Sequence, residues 1–240
     1  MSDRTVLVTG GSGGLGSAVT ATLRASGWRV VSASRRVRGG TADDRPAPGD
    51  ATVAGPAVTE VAADLTEPDG AAAAVQHAVS DPDAPLRAVV NLVGGYHSAG
   101  LIHDTPVADF DQMLRVNLRP TYLVTRAALP YLIDAGDGAI VCVSSRAAGT
   151  PFAGAAGYVT AKAAVQAFAA AVAVEYRQFG VRCNTVAPGV IDTPANRRQQ
   201  PAADHGAWVD PLEIASVVRF LISADSAPTS GAVIPVYGRG

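Results

Sequence analysis

The sequence predicts an α/β fold, with a doubly wound parallel sheet of about seven strands between two layers of helices in an α/β/α sandwich. Three observations predict it. Short apolar runs alternate with helical patterns along the 240-residue chain. A glycine-rich turn joins the first apolar run to the first helical pattern, and polar residues that can do chemistry follow the later apolar runs. Because no repeat or composition shift divides the chain, we expect residues 1–240 to form one domain.

Composition narrows the function classes. The net charge is -2, which argues against nucleic acid or an anionic membrane as the main partner. No apolar run is expected to reach the ~20 residues that cross a bilayer, and the N-terminus has no signal-peptide pattern, so we expect a cytoplasmic protein. Cys142 and Cys183 fall in predicted strands without metal-ligand spacing, so we predict neither a metal site nor a disulfide.

The first strand, Thr5–Thr9, runs directly into a glycine-rich turn, and a helical pattern follows to about Ser26. Glycines in such a turn allow the backbone to approach a pyrophosphate, whose charge is favoured at the helix N-terminus. A plain loop is the alternative interpretation. The position of the turn between a strand and a helix favours dinucleotide binding.

The second strand, Trp28–Ala33, ends in Ser34, Arg35 and Arg36. A carboxylate at this strand end would accept hydrogen bonds from the adenosine ribose and repel a 2′-phosphate. A hydroxyl and two guanidinium groups favour binding of that phosphate instead, so we expect NADP(H) to be preferred, with NAD(H) as the alternative. Two solvated arginines on a loop would leave the cofactor undetermined.

Residues 38–56 are rich in glycine and proline, and we expect an irregular, mobile connection there instead of a crossover helix. A third strand at 58–63 ends at Asp64 and Leu65, where a carboxylate can reach an adenine amine. A helix is predicted from Glu67 to Val79, with Pro68 in its first turn.

Residues 86–95 form the fourth strand and its glycine-rich exit, at the edge of the sheet where ligands bind in such folds. Tyr96, His97 and His103 follow in a loop, and each is a candidate for lining a substrate pocket.

A long helix is predicted from about Pro106 to Ala135, with Asn117 in its middle. Pro120 has no N–H, so the carbonyl of Val116 loses its helical partner and the helix should bend. A bend at Asn117 would leave carbonyl groups free to bind water.

Ser145 follows the fifth predicted strand, 139–143, and lies thirteen residues before Tyr158. Tyr158 and Lys162 are four residues apart in a predicted helix over 156–179, so their side chains share one face. A nearby ammonium group favours the phenolate and is expected to lower the pKa of Tyr158. The alternative is an interface tyrosine and a solvated lysine. Against it, Lys162 is the only lysine among 19 lysine and arginine residues, which indicates a position that needs a compact ammonium.

The rest of the chain supplies a sixth strand at 182–187, a polar segment at 194–210 that we interpret as a lid, an amphipathic helix at 211–223 and a last strand at 231–236.

Over essentially its whole length the chain resembles the small single-domain branch of the short-chain dehydrogenase/reductase family, whose fold is Rossmann-like. The family's Thr-Gly-x-x-x-Gly-x-Gly matches Thr9–Gly16, and its Ser and Tyr-x-x-x-Lys match Ser145, Tyr158 and Lys162. Its helical Asn matches Asn117, and its Pro-Gly-x-x-x-Thr matches Pro188–Thr193. All of these motifs occur in order and at the family spacing.

The resemblance implies an NAD(P)(H)-dependent oxidoreductase that interconverts a small-molecule carbonyl and an alcohol. Tyr158 would be the general acid/base, and Ser145 would polarise the substrate oxygen. Lys162 would lower the pKa of Tyr158 and bind the nicotinamide ribose, while Asn117 would hold the helix bend where a relay water sits.

The resemblance also implies a cofactor site without metal, in which Ile191 and Thr193 would meet the carboxamide. Its expected members are Thr9, Gly10, Ser12, Gly14, Leu15, Gly16, Ser34, Arg35, Arg36, Asp64, Leu65, Asn91, Gly94, Tyr158, Lys162, Pro188, Gly189, Ile191 and Thr193. A homodimer or homotetramer through the helices around Asn117 and Lys162 is also implied.

Two alternatives stay open at this point. The first is a non-enzymatic dinucleotide sensor on the same fold, although a sensor has no need of a phenol tuned by an ammonium group. The second is an enzyme similar to dihydropteridine reductases, which residues 93–95 and 149–151 faintly resemble.

Overall fold

Seven parallel strands form one sheet in the computed structural model, which describes residues 3–35, 58–98 and 100–238. Their order across the sheet is β3-β2-β1-β4-β5-β6-β7, and all neighbouring pairs are parallel. The strands are β1 (Thr5–Thr9), β2 (Arg29–Ser34), β3 (Thr59–Ala62), β4 (Leu86–Asn91), β5 (Gly138–Val143), β6 (Val181–Pro188) and β7 (Val233–Val236). The predicted doubly wound parallel sheet is confirmed.

Helices cover both faces of this sheet. They are α1 (Gly14–Ala25), α2 (Pro68–Ala78), α3 (Val107–Asn117), α4 (Arg119–Ala135), α5 (Ala156–Glu175), α6 (Pro194–Gln199) and α7 (Pro211–Leu221). Alternate strand residues face opposite layers: Val6 and Val8 pack with α1 and α7, whereas Leu7 packs with α2, α4 and α5. Because both faces are covered, the inner strands are continuously apolar rather than alternating.

The direction of winding reverses between β1 and β4, which are neighbours in the sheet. Chain segments leaving these two strands diverge to opposite faces, and a crevice therefore forms at their carboxyl ends. The hydroxyl of Thr9 joins the two strands there, since it accepts hydrogen bonds from the N–H groups of Leu92 (3.0 Å) and Val93 (3.3 Å).

The predicted long helix is two helices. α3 ends at Asn117 and α4 begins at Arg119, with Leu118 between them. Pro120 explains the break, because without an N–H it cannot continue the hydrogen-bond ladder of α3. The hydroxyl of Thr121 donates a hydrogen bond to the Asn117 carbonyl at 3.3 Å, which adds a side-chain contact across the break.

Other boundaries differ by a few residues. The helix predicted to end at Phe179 ends at Glu175, and a 3₁₀ turn over Arg177–Phe179 follows it, closed by Gly180 at φ 74°. The predicted lid contains α6 and a second 3₁₀ turn, His205–Ala207. The predicted mobile connection at 38–56 and Arg36 lie outside the described residues.

Within the described part of the chain, α5 has the length and apolar composition of a membrane-spanning helix, contrary to the expectation that no segment would. The reason is its alanine content combined with a length of 20 residues. A core helix of a soluble protein has the same composition, and α5 packs against α3 and β6 and buries Lys162.

Candidate active site

The glycine-rich turn at the end of β1 has no room for side chains at its key positions. Gly10 has a φ of 72°, and a Cβ atom at Gly16 would lie 2.1 Å from the Gly10 carbonyl oxygen. A Cβ atom at Gly14 would lie 2.8 Å from the Cγ2 atom of Thr193. The backbone therefore turns tightly into α1 and touches the segment that follows β6.

The N-terminus of α1 is chemically suited to a pyrophosphate. Its N-cap residue is Gly13, which supplies no side-chain cap, and no acidic residue occupies the first turn. Ser12, Gly13 and Gly14 are exposed, so the first-turn N–H groups face the crevice without competition from the protein. The turn thus fits the diphosphate of a dinucleotide cofactor, as the sequence predicts.

The predicted adenosine end of the site lies where β2 and β3 end. Arg35 is exposed there and close enough to Asp64 to act on its charge. Hydrogen bonds from Thr66, through its hydroxyl (2.7 Å) and its N–H (3.0 Å), lower the pKa of Asp64, and Arg35 lowers it further. Ser34 is half-buried, and the side chain of Leu65 is in the core, which leaves the backbone of Leu65 to contact a ligand.

Asn91, predicted to bind cofactor, turns its side chain into the core. Its Nδ2 group donates to the Thr125 hydroxyl at 3.2 Å and contacts the Cys142 sulfur at 3.8 Å. Its Oδ1 atom is buried and has no hydrogen-bond partner among the described residues. Any contact of Asn91 with a ligand must therefore come from its backbone.

Asn117 fastens the exit of β4 to the end of α3. Its Nδ2 group donates to the carbonyls of Gly95 (2.9 Å) and Met113 (3.0 Å), and its Oδ1 atom accepts from the Gly95 N–H at 3.1 Å. A Cβ atom at Gly94 would lie 2.6 Å from this oxygen and 3.0 Å from Nζ of Lys162. The strand exit, the helix end and the lysine therefore meet at Gly94.

Ser145, Tyr158 and Lys162 come together as predicted. Ser145 accepts a hydrogen bond from the Ala147 N–H at 3.2 Å, and its hydroxyl is hydrogen-bonded to Tyr158. Lys162 is buried, donates to the Val143 carbonyl at 3.0 Å, and has its Nζ atom 6.0 Å from the centre of the Tyr158 ring. The two hydroxyls and the ammonium group thus form one continuous cluster.

Burial governs the pKa values of this cluster. It raises the pKa of Tyr158 above its usual value, against the lowering effect of the Ser145 hydrogen bond, and nearby Tyr96 raises it further. The predicted lowering by Lys162 is wrong for this structure, because the ammonium group is itself desolvated and directed at a carbonyl. Burial lowers the pKa of Lys162 to about 8, with Cys142 acting in the opposite direction.

Two residues that the sequence did not indicate hold this cluster in place. The hydroxyl of Ser144 donates to the Lys162 carbonyl at 2.7 Å and accepts from Nε2 of Gln166 at 3.0 Å. These bonds tie the end of β5 to the second and third turns of α5. The sequence did contain one indication of this contact: Gln166 lies one helical turn after Lys162 and therefore on the same face of the helix.

The segment after β6 completes the crevice. The Gly189 N–H donates to the Val236 carbonyl at 2.9 Å, which joins the backbone just after β6 to β7. Ile191 pairs with Val209, so both ends of the predicted lid are fixed to each other. Thr193 caps α6 by accepting the Asn196 N–H at 3.2 Å, and its methyl group packs on Gly14.

Comparison with known proteins agrees with this geometry. A family model described as short chain dehydrogenase matches residues 4–204. The chain belongs to the short-chain dehydrogenase family. It is 32% identical over 247 residues to 2-(R)-hydroxypropyl-CoM dehydrogenase of Xanthobacter autotrophicus, covering 98% of this chain and 97% of that protein. It is 31% identical over 244 residues to (3R)-3-hydroxyacyl-CoA dehydrogenase of Homo sapiens, and this match covers 97% of this chain and 93% of that protein.

Solved structures of short-chain dehydrogenases share the whole architecture. A short-chain type dehydrogenase/reductase from Mycobacterium ulcerans has a TM-score of 0.87 and 26% identity, and the match covers 100% of this chain and 90% of that one. Levodione reductase also has a TM-score of 0.87 and 26% identity, and the match covers 99% of this chain and 97% of that one. The resemblance found in the motifs therefore extends to the complete Rossmann-like fold.

As a short-chain dehydrogenase site, this arrangement can place a hydride acceptor next to two hydroxyl groups. Tyr158 and Ser145 are both half-buried, so a ligand oxygen can reach their hydroxyls from the crevice. A protonated phenol and a serine hydroxyl can both donate to that oxygen. The chemistry available to these side chains is proton transfer with stabilisation of a developing oxyanion.

Proposed function

We propose that this short-chain dehydrogenase interconverts a carbonyl compound and the corresponding alcohol with a nicotinamide dinucleotide, NADP(H) being preferred. The observation that carries the proposal is the hydrogen-bonded pair Ser145 and Tyr158, with Lys162 buried one helical turn behind it and next to Gly94. The names of the relatives describe dehydrogenases of hydroxy compounds, which supports this reaction class.

When bound, the reduced nicotinamide supplies the hydride that adds to the carbonyl carbon. Tyr158 gives its phenolic proton to the carbonyl oxygen as the C=O π electrons move onto that oxygen, which yields the alcohol. Ser145 donates a hydrogen bond to the same oxygen and stabilises its developing charge. In the oxidation direction Tyr158 takes up the proton of the alcohol.

The raised pKa of Tyr158 suits the reduction direction, because the phenol keeps its proton at neutral pH. The phenolate left after proton transfer is then stabilised by the hydrogen bond from Ser145. With a pKa of about 8, Lys162 is mostly protonated at pH 7, and one of its three N–H groups is used by Val143. The other two are suited to the ribose hydroxyls of the cofactor.

The preference for NADP(H) rests on the end of β2. Arg35 is exposed at the sheet edge where a ribose-binding carboxylate would otherwise stand, and Arg36 follows it in the sequence. A guanidinium group pairs with a phosphate in bidentate fashion.

We also propose a cytoplasmic homodimer or homotetramer. Tyr122 on α4 is 48% exposed although its ring packs on Phe168 of α5, and Val174 on α5 is 78% exposed. A second copy of the chain would cover this apolar surface. Light scattering of the purified protein should give a multiple of 24.3 kDa, and a monomeric mass would contradict the assembly.

The test of the proposed function is titration with NADPH and NADH, followed by carbonyl-dependent oxidation of the bound cofactor. The nicotinamide fluorescence reports binding, and Trp208 reports events at the lid because its ring contacts His205 with ring centres 4.3 Å apart. We expect NADPH to bind at least about tenfold more tightly than NADH, as one charge-assisted pair allows. Binding of neither dinucleotide would refute the proposal.

A further inference from the structure

We propose that Tyr96 and Phe152 form an aromatic wall of the substrate site, which selects carbonyl compounds with a flat, uncharged aryl or conjugated group on the carbonyl carbon. This inference rests on the proposed function, since it concerns the substrate on which Tyr158 acts. It assigns a role to Tyr96 in the loop after β4 and to Phe152 in the loop after β5, two side chains that the proposed proton transfer does not use.

The three rings are in contact. The Tyr96 ring packs edge-on against the Tyr158 ring, with centres 5.2 Å apart and planes at 86°, and its centre is 6.2 Å from that of Phe152. Tyr96 is 49% exposed and Phe152 is 51% exposed, so half of each ring faces the solvent beside the catalytic phenol. Two half-exposed aromatic rings at one place form an apolar surface that a ligand can cover.

The wall is fixed before a substrate binds. Tyr96 follows Gly95, whose N–H and carbonyl are both held by Asn117. The two loops are also joined to each other, because the Ser98 hydroxyl donates to the Gly154 carbonyl at 2.9 Å. Rings held in this way lose little conformational freedom when a ligand stacks on them.

The position of the wall limits where the selected group can be on the substrate. Because the Tyr96 ring packs on the Tyr158 ring with centres 5.2 Å apart, a group bonded directly to the carbon whose oxygen receives the Tyr158 proton is within reach of the wall. Neither wall residue is charged, and the exposed side chains of Leu101 and Ile102 in the same loop are apolar. An aryl ketone meets these requirements: its carbonyl carbon accepts the hydride and its oxygen the Tyr158 proton, which gives a secondary aryl alcohol.

The experiment compares two ketones of equal size and different shape, acetophenone and cyclohexyl methyl ketone, with NADPH as reductant. Wild-type protein is expected to favour the flat aryl ketone in kcat/KM by roughly tenfold, which corresponds to aromatic contacts with the wall. Tyr96→Leu and Phe152→Leu keep apolar area but remove a ring. Each should cut that preference to about threefold or less, measured as the ratio of kcat/KM for the two ketones within the same variant.

Two further variants distinguish the loss of the aromatic wall from a general loss of structure or activity. Phe152→Tyr keeps the ring and should keep the preference. Phe179→Leu removes a ring that is 42% exposed on the 3₁₀ turn after α5, and it should behave as wild type. Equal preference in wild type and in both wall variants would overturn the aromatic wall while leaving the reductase function intact. No NADPH oxidation with either ketone would overturn the wall together with the proposed function for ketones.

Discussion

Replacing Lys162 with methionine should stabilise the protein while removing its activity. Lys162 is buried, its ammonium group donates to the Val143 carbonyl, and burial lowers its pKa from 10.5 to about 8. The charged form is therefore held at a cost to folding, as expected for a group retained for chemistry. Methionine keeps most of the apolar stem without the charge.

The magnitude follows from the pKa difference. A shift of this size corresponds to about 3 kcal/mol of destabilisation at pH 7, since each pKa unit is about 1.4 kcal/mol. The lost hydrogen bond to the Val143 carbonyl costs roughly 1 kcal/mol. Lys162→Met should then raise the free energy of unfolding at pH 7 by about 2 kcal/mol, or the melting temperature by roughly 5 °C for a chain of this length.

The pH dependence has a defined sign. Between pH 8 and 10.5 the unfolded chain binds a proton at Lys162 that the folded chain has lost, so wild-type stability rises across this window relative to the variant. The advantage of Lys162→Met should be full below pH 8 and should disappear before about pH 10.5, above which the variant is less stable by roughly the 1 kcal/mol of the lost hydrogen bond. Urea unfolding of both proteins at several pH values measures it. A variant that is less stable at pH 7, or a difference that does not change with pH, would refute the reasoning.

Three further predictions concern the crevice. Gly94→Ala should lower kcat at least tenfold, because its Cβ atom would lie 2.6 Å from Oδ1 of Asn117 and 3.0 Å from Nζ of Lys162, whereas Gly95→Ala should act as wild type since its nearest atom is 3.9 Å away. Ser144→Ala should cost about 1–3 kcal/mol in unfolding free energy and also lower kcat, with Ser144→Thr restoring part of both, and a stability loss without any rate change would contradict its positioning role. Replacing Arg35 and Arg36 with alanine should weaken NADPH binding tenfold or more and leave NADH binding unchanged, as isothermal titration can measure; equal losses for both cofactors would contradict a phosphate clamp.

The alternation of strands and helices was readable from the sequence because each element is bounded by glycine, proline or polar residues. The sheet follows from it, since parallel strands with helical crossovers allow few topologies. Pro120 also indicated the interruption at Asn117. Local sequence did not show that the interruption is a full break, in which Leu118 separates the end of α3 from the start of α4.

In the candidate site, the spacing of residues along the sequence predicted which side chains come together, but it did not predict the direction in which their pKa values shift. Tyr158 and Lys162 share a helix face, as their four-residue spacing requires. The pKa of Tyr158 depends instead on burial by residues distant in sequence, among them Tyr96, and this reversed the predicted direction. The inward side chain of Asn91 was equally hidden, because the face of a doubly covered strand cannot be read from an unbroken apolar run.

The most direct test of the proposed function is the single-turnover rate of Tyr158→Phe, measured with saturating NADPH and a carbonyl substrate. Tyr131→Phe is the matched control, since its hydroxyl bonds Gln76 on α2, away from the crevice. If Tyr158 transfers the proton, its variant should bind NADPH with wild-type affinity and reduce the substrate at least about a hundredfold more slowly, while the control stays at the wild-type rate. Turnover by Tyr158→Phe at the wild-type rate would contradict the proposed role of the phenol.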